Sequence, residues 1–257
     1  MPIPEKTRKR LLLAVLIIVP TISILLLWQG RAGAPNWTFI GNDQPAEEAT
    51  PPPTGFNKQL YSIDDPASLW FIVNKQRPMP ASYAPADLRQ PAIKVRSNGS
   101  NEMLLRDAAA TAVEQMTAAA AKQGINLMLV SGYRSYGLQQ AVYGGNVARE
   151  GQAAADLTSA RPGHSEHQTG LAADLGSTNR LCELETCFGQ TPEGRWLAAH
   201  AHEHGFVLRY PNNKQAIVGY TYEPWHMRYV GPELAAEINK TGQTLEEFFG
   251  LPPAPTY

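Results

Sequence analysis

The sequence predicts an α+β fold, because helical and extended segments are both present but do not alternate regularly. One helix is expected over residues 101–123, where Leu105, Ala109, Ala112, Met116 and Ala119 recur at spacings of three and four, with Gly124 as its stop. Residues 125–130 (Ile-Asn-Leu-Met-Leu-Val) read as a buried strand that runs into the turn Ser131-Gly132. A second helix is expected over 138–150. A third opens at Thr191-Pro192, a capping residue followed by proline at the first helical position, and stops at Gly205. Residues 171–175, 206–210 and 222–230 complete the strands.

Composition bounds the rest. The 257 residues are 43% hydrophobic and 18% charged, enough apolar material for a core and too little charge for a disordered chain. A formal net charge of -1 gives no electrostatic reason to expect nucleic acid as a partner.

The N-terminus carries its own signal. Lys6, Arg8, Lys9 and Arg10 precede an uncharged apolar run over 11–28. As a helix that run is roughly 27 Å long, sufficient to span a hydrocarbon core. Basic residues on its N-terminal side hold that end in the cytoplasm and put the rest of the chain outside. The expectation is therefore a cytoplasmic segment 1–10, a single-pass membrane anchor 11–28, a Pro-rich linker 29–55 and one extracytoplasmic domain 56–257. The alternative is a cleaved signal peptide: Ala32-Gly33-Ala34 supplies small residues, but Pro35 would follow the cut and the run is long for such a peptide. Cys182 and Cys187, with four residues between them, are the two cysteines, and in an oxidising compartment they read as a local disulfide. Closing so short a loop contributes about 2 kcal/mol.

Two segments concentrate reactive groups: S-E-H-Q-T-G-L-A-A-D (165–174) and E-P-W-H (223–226). A catalytic zinc takes three protein ligands from histidine and carboxylate and leaves one position open. His167, Asp174 and His226 supply that set. Gly170 allows a turn between the first two, after which Ala172 and Asp174 point to the same face of a strand, the methyl leaving room for a metal. Glu223 is the natural general base for the attacking water. Pro224 makes the backbone there irregular, which lets Glu223 and His226 converge. His164 is expected to line the cleft or support the ligands. His200 and His204 lack the H-E-x-x-H order and read as packing or surface residues.

The pattern S-x-H-x-x-G-x-A-x-D followed by E-x-W-H resembles the signature of the zinc D-alanyl-D-alanine carboxypeptidases, a family that includes vancomycin-resistance D,D-carboxypeptidases and the L,D-carboxypeptidases of cell-wall tailoring. Further blocks look like the same family: V-N-K-Q-R-P-M-P-A-S-Y-A-P-A-D-L (73–88), S-G-Y-R-S (131–135), R-P-G-H-S-E-H-Q-T-G (161–170) and G-F-V-L-R-Y-P (205–211). The resemblance covers about residues 58–250. It implies a small antiparallel sheet carrying one zinc per chain and flanked by helices, as in lysostaphin-type peptidases and hedgehog domains. It also implies that Arg134 grips the substrate's terminal carboxylate, a task suited to a guanidinium fork, and that Gln139 and Ser165 are auxiliary substrate contacts. The expected activity is removal of the C-terminal D-alanine from a peptidoglycan stem peptide, the one partner expected besides the membrane. An endopeptidase on the same metal site and a non-catalytic wall-peptide-binding module are the alternatives.

Overall fold

The structure is a computed structural model that describes residues 55–257. The expected cytoplasmic segment, membrane anchor and most of the linker lie outside the described residues. Among the described residues no helix is long and apolar enough to cross a membrane.

The elements run in the order β1 (Leu88–Arg89), β2 (Leu105–Arg106), α1 (Asp107–Ala121), β3 (Leu127–Ser131), α2 (Tyr136–Glu150), α3 (Gln152–Thr158), β4 (Ala172–Ser177), α4 (Pro192–His200), β5 (Phe206–Leu208), α5 (Gln215–Val218), β6 (His226–Tyr229), α6 (Pro232–Thr241) and α7 (Leu245–Phe249). β3, β4, β6 and β5 form, in that order, an antiparallel four-stranded sheet. One face packs on α1: Ala109, Val113, Met116 and Ala120 join Leu129, Ala173, Leu175 and Met227 in one buried cluster. Small residues on α1 let it lie close to the sheet. A second cluster ties Trp70 to Val207, Leu234, Ile238 and Phe248, which brings α6 and α7 onto the same body. Phe56 stacks on Trp70 at 5.4 Å and meets Phe248 edge-on, which ties the first described residues to this second cluster.

Several expected elements change their limits. Residues 101–106 do not join the first helix: a 3-10 turn over Asn101–Met103 and the short strand β2 come first. The carbonyls of Glu102 and Leu104 accept hydrogen bonds from the backbone N–H groups of Gly132 and Tyr133, a use that an α-helix would forbid. Gly132 has no room for a side chain against those carbonyls. The third helix keeps its predicted start, where the Thr191 hydroxyl accepts from Gly194 N at 3.0 Å, but it tightens to 3-10 after His200 before stopping at Gly205 with φ +80°. Of 222–230 only His226–Tyr229 is strand, because Glu223-Pro224-Trp225 forms a turn closed by His226 N donating to Glu223 O. α3 and α5–α7 had no counterpart among the expected elements. Cys182 and Cys187 are joined as expected.

Candidate metal centre and cleft

Strand register creates the site. Asp174 on β4 and His226 on β6 are directly opposed partners, so their side chains emerge side by side on the face away from α1. His167 reaches them from a 3-10 turn, Glu166–Thr169, which ends at Gly170 in the left-handed conformation with φ +69°. A side chain at Gly170 would collide with Arg106 and Leu88, so the turn that delivers His167 depends on glycine. Each of the three residues offers a ligand atom within 4.8 Å of the other two, and all three are buried. Ala172 shares the Asp174 face and stands opposite Arg228.

The imidazoles are presented in different ways. His167 Nδ1 lies 2.6 Å from the Gly132 carbonyl, leaving Nε2 to face Asp174 Oδ2 at 3.2 Å. His226 turns Nδ1 to Asp174 Oδ1 at 3.0 Å and Nε2 to Glu166 at 3.2 Å. Burial lowers the His167 pKa against the pull of Asp174. Burial also disfavours a charged His226, but hydrogen bonds to Asp174 and Glu166 raise it to about 10 in the metal-free chain. Burial alone would raise Asp174, yet the two histidines hold it well below the usual carboxylate range. Two imidazoles and a carboxylate converging in one buried spot form a donor set that suits zinc.

Glu223 sits above this trio. Its backbone N–H donates to Tyr210 O, and its Oε2 lies 3.8 Å from His226 Nδ1. Burial pushes its carboxyl up to about 8, with His226 pulling the other way. The Pro224 turn places Glu223 and His226 on one site despite their three-residue spacing, as the sequence anticipates.

These residues open into a cleft of about 450 Å³ that also takes in Arg134, Gln139 and Ser165. Arg134 extends from the loop after β3, and its charge acts on both His167 and Glu223. Its Nη2 donates to Ser131 Oγ and its Nη1 to Gln139 Oε1, at 2.9 and 3.1 Å. Its Nε is buried and, among the described residues, has no hydrogen-bond partner. Gln139 lines the cleft and is held on both sides: its amide nitrogen donates to Ala160 O at 2.6 Å and its oxygen accepts from Arg134, so it braces the guanidinium. Ser165 lines the cleft, and its hydroxyl does not cap the turn that follows.

His164 corrects the sequence expectation. Its Nδ1 meets Asn74 O at 2.8 Å and its ring packs edge-on against Tyr257, so it ties together distant parts of the chain and is not among the residues lining the cleft. His200 and His204 lie against Trp196, as expected of packing residues. The residue that sequence reasoning missed is Glu166. It is fully buried, and although burial would raise its pKa, Arg228 and Arg209 hold it well below the usual range. Its only sequence signal was a charged residue next to a ligand; the arginines that accompany it are 43 and 62 positions away.

With the geometry established, similarity to known proteins decides the family. Residues 102–232 match the VanY D-alanyl-D-alanine carboxypeptidase family. The chain belongs to that family. It is 42% identical over 191 residues to the putative carboxypeptidase YodJ of Bacillus subtilis (strain 168), covering 74% of this chain and 70% of the relative. The structure of the LdcB LD-carboxypeptidase superposes with a TM-score of 0.69 at 42% identity, over 72% of this chain and 87% of that one. A variant of the vancomycin-resistance D,D-pentapeptidase VanY, solved in complex with Zn(II), superposes at 0.60 with 32% identity, over 72% and 99%. This member of the VanY family is thus a carboxypeptidase-type enzyme with the mixed helix and antiparallel-sheet fold that the sequence predicts.

Proposed function

We propose that the chain is a zinc carboxypeptidase that removes the C-terminal D-alanine from peptidoglycan stem peptides. The observation that carries this reading is the opening of three residues that could hold a metal, a buried glutamate and an arginine whose Nε has no partner among the described residues into one cleft. The solved relatives, an LD-carboxypeptidase whose structure concerns peptidoglycan recognition and a Zn(II)-bound D,D-pentapeptidase, support the substrate class and the metal.

His167, Asp174 and His226 would hold the zinc. When bound, zinc activates water and polarises a carbonyl. Glu223 accepts the proton of the attacking water and delivers it to the departing amine nitrogen. A carboxyl raised by burial is suited to that exchange near neutral pH, and a cation held by its neighbours draws its pKa down again. Arg134, braced by Ser131 and Gln139, receives the substrate's terminal carboxylate and so fixes which amide lies at the zinc. Recognition of that terminal charge favours removal of a single residue over cleavage within a chain. The greater likeness to the LD-carboxypeptidase, in both identity and TM-score, favours the tetrapeptide stem as substrate.

Elemental analysis of the purified protein should find one zinc per chain, and His167→Ala should lose it. Mass spectrometry of muropeptides incubated with the enzyme should show tetrapeptide stems shortened by one alanine. Intact stems alongside cleaved cross-bridges would replace this reading with the endopeptidase, and bound but unchanged stems would indicate a binding module.

The basic cluster and apolar run before the domain support an uncleaved anchor with the enzyme outside the cell. The full chain should then pellet with membranes, resist alkaline extraction and be accessible to external protease. Recovery from the medium of a chain beginning near Pro35 would establish cleavage instead.

A further inference from the structure

A line of buried charge leads from the ligand trio into the protein interior. Glu166 Oε2 faces His226 Nε2 at 3.2 Å, while its Oε1 accepts from Arg209 Nε and Arg228 Nη1, both at 2.8 Å. Arg209 spends its remaining nitrogens on Glu246, at 2.9 and 2.6 Å. Arg228 donates its Nη2 to the carbonyls of Leu69 and Phe71. Two glutamates thus balance two arginines in a region without solvent.

We propose that Glu166 is a positioning residue for the metal centre, setting the tautomer and ring orientation of His226 so that Nδ1 presents its lone pair to the metal. The proposal rests on the zinc reading above. A neutral imidazole carries one N–H, and the nitrogen bearing it cannot bind a metal. An acceptor at Nε2 keeps the hydrogen there and frees Nδ1. His167 is set by the same logic with the nitrogens exchanged, since the Gly132 carbonyl takes Nδ1 and Nε2 is freed. The two rings stand nearly perpendicular, at 89°, so a turn of either about its Cβ–Cγ bond would break the convergence. For His226, such a turn would replace both facing nitrogens with carbons opposite two carboxylates. The arginines hold Glu166 in place, which makes the orientation of a ligand on β6 depend on residues remote from the cleft.

A purely structural ion cluster is the rival account, and Glu246 separates the two. It belongs to the same network but touches Arg209, not His226. In Glu166→Gln the side-chain amide must either point its NH2 at the arginines or turn it to His226; neither arrangement keeps the wild-type set of acceptors. Zinc affinity of the full chain should be measured by competition with a chromophoric chelator, alongside thermal unfolding of the metal-free protein. Glu166→Gln should weaken zinc binding by about 10- to 100-fold. Glu246→Gln should lower the metal-free Tm while leaving zinc affinity at its wild-type value. If Glu166→Gln does not fold, Glu166→Asp keeps the charge beside the arginines while withdrawing the carboxylate by one methylene, and it should weaken zinc in the same direction. Wild-type zinc affinity in a folded Glu166 variant, or equal losses in the Glu166 and Glu246 variants, overturns the proposal. Absence of zinc binding by the unaltered chain would instead overturn the zinc reading itself.

Discussion

Glu223→Gln should retain zinc and fold while lowering kcat by on the order of 10²-fold or more, because removing a proton from the attacking water is a role exercised only in the transition state. The substitution keeps the shape of a buried side chain whose carboxyl is already pushed up to about 8 by its surroundings. It therefore removes the base without emptying the space. KM should change little, since Glu223 is assigned to the reacting water and not to the terminal carboxylate. Steady-state kinetics combined with zinc analysis of the same preparation tests this; kcat within a few-fold of wild type, with zinc present, would remove Glu223 from the chemistry.

Arg134→Ala should act on a different quantity. Charge-assisted hydrogen bonds contribute about 1.5–3 kcal/mol each, so losing the fork should reduce kcat/KM for free-acid peptides by on the order of 10- to 100-fold or more. Peptides amidated at the C-terminus lack the charge that the guanidinium reads and should suffer far less. One substitution thus acts whatever the end of the substrate, and the other depends on that end. Equal losses on acid and amide peptides would point to an endopeptidase. Ser131 and Gln139 remain in the Arg134→Ala variant, but the nitrogens they brace are gone.

The sequence made the ligand trio legible because its spacing mirrors local structure: a glycine-ended turn before Asp174 and a proline turn before His226. The disulfide was legible for the same reason, being local. The start of the first helix was misplaced because residues 101–106 carry a helical apolar pattern, and Leu105 is indeed buried, yet the carbonyls of Glu102 and Leu104 serve a loop nearly thirty residues later. Periodicity records which side chains are buried; it does not record where backbone groups find partners. The same limit hid the role of Glu166, since nothing near it in sequence shows that Arg209 and Arg228 will meet it. Gln139 was recognised as a site residue, but its double engagement with Arg134 and Ala160 emerges only when α2 is folded against the segment after α3.

The pairing of Asp174 with His226 across the β4–β6 ladder has a consequence for how this enzyme can vary. Two of the three residues proposed to hold the metal are locked to each other by strand register, and adjacent residues of a strand face opposite sides of the sheet. A one-residue slip of β6 along β4 would turn the imidazole into the apolar cluster that now holds Met227, and bring a thioether to the opposite face. Loss of the proposed metal site and loss of core packing would then be a single event. Length changes should consequently be confined to segments such as the loop carrying Cys182 and Cys187, which shapes the cleft without setting the ladder. Substrate preference can drift there while the chemistry stays fixed by the alignment of two strands.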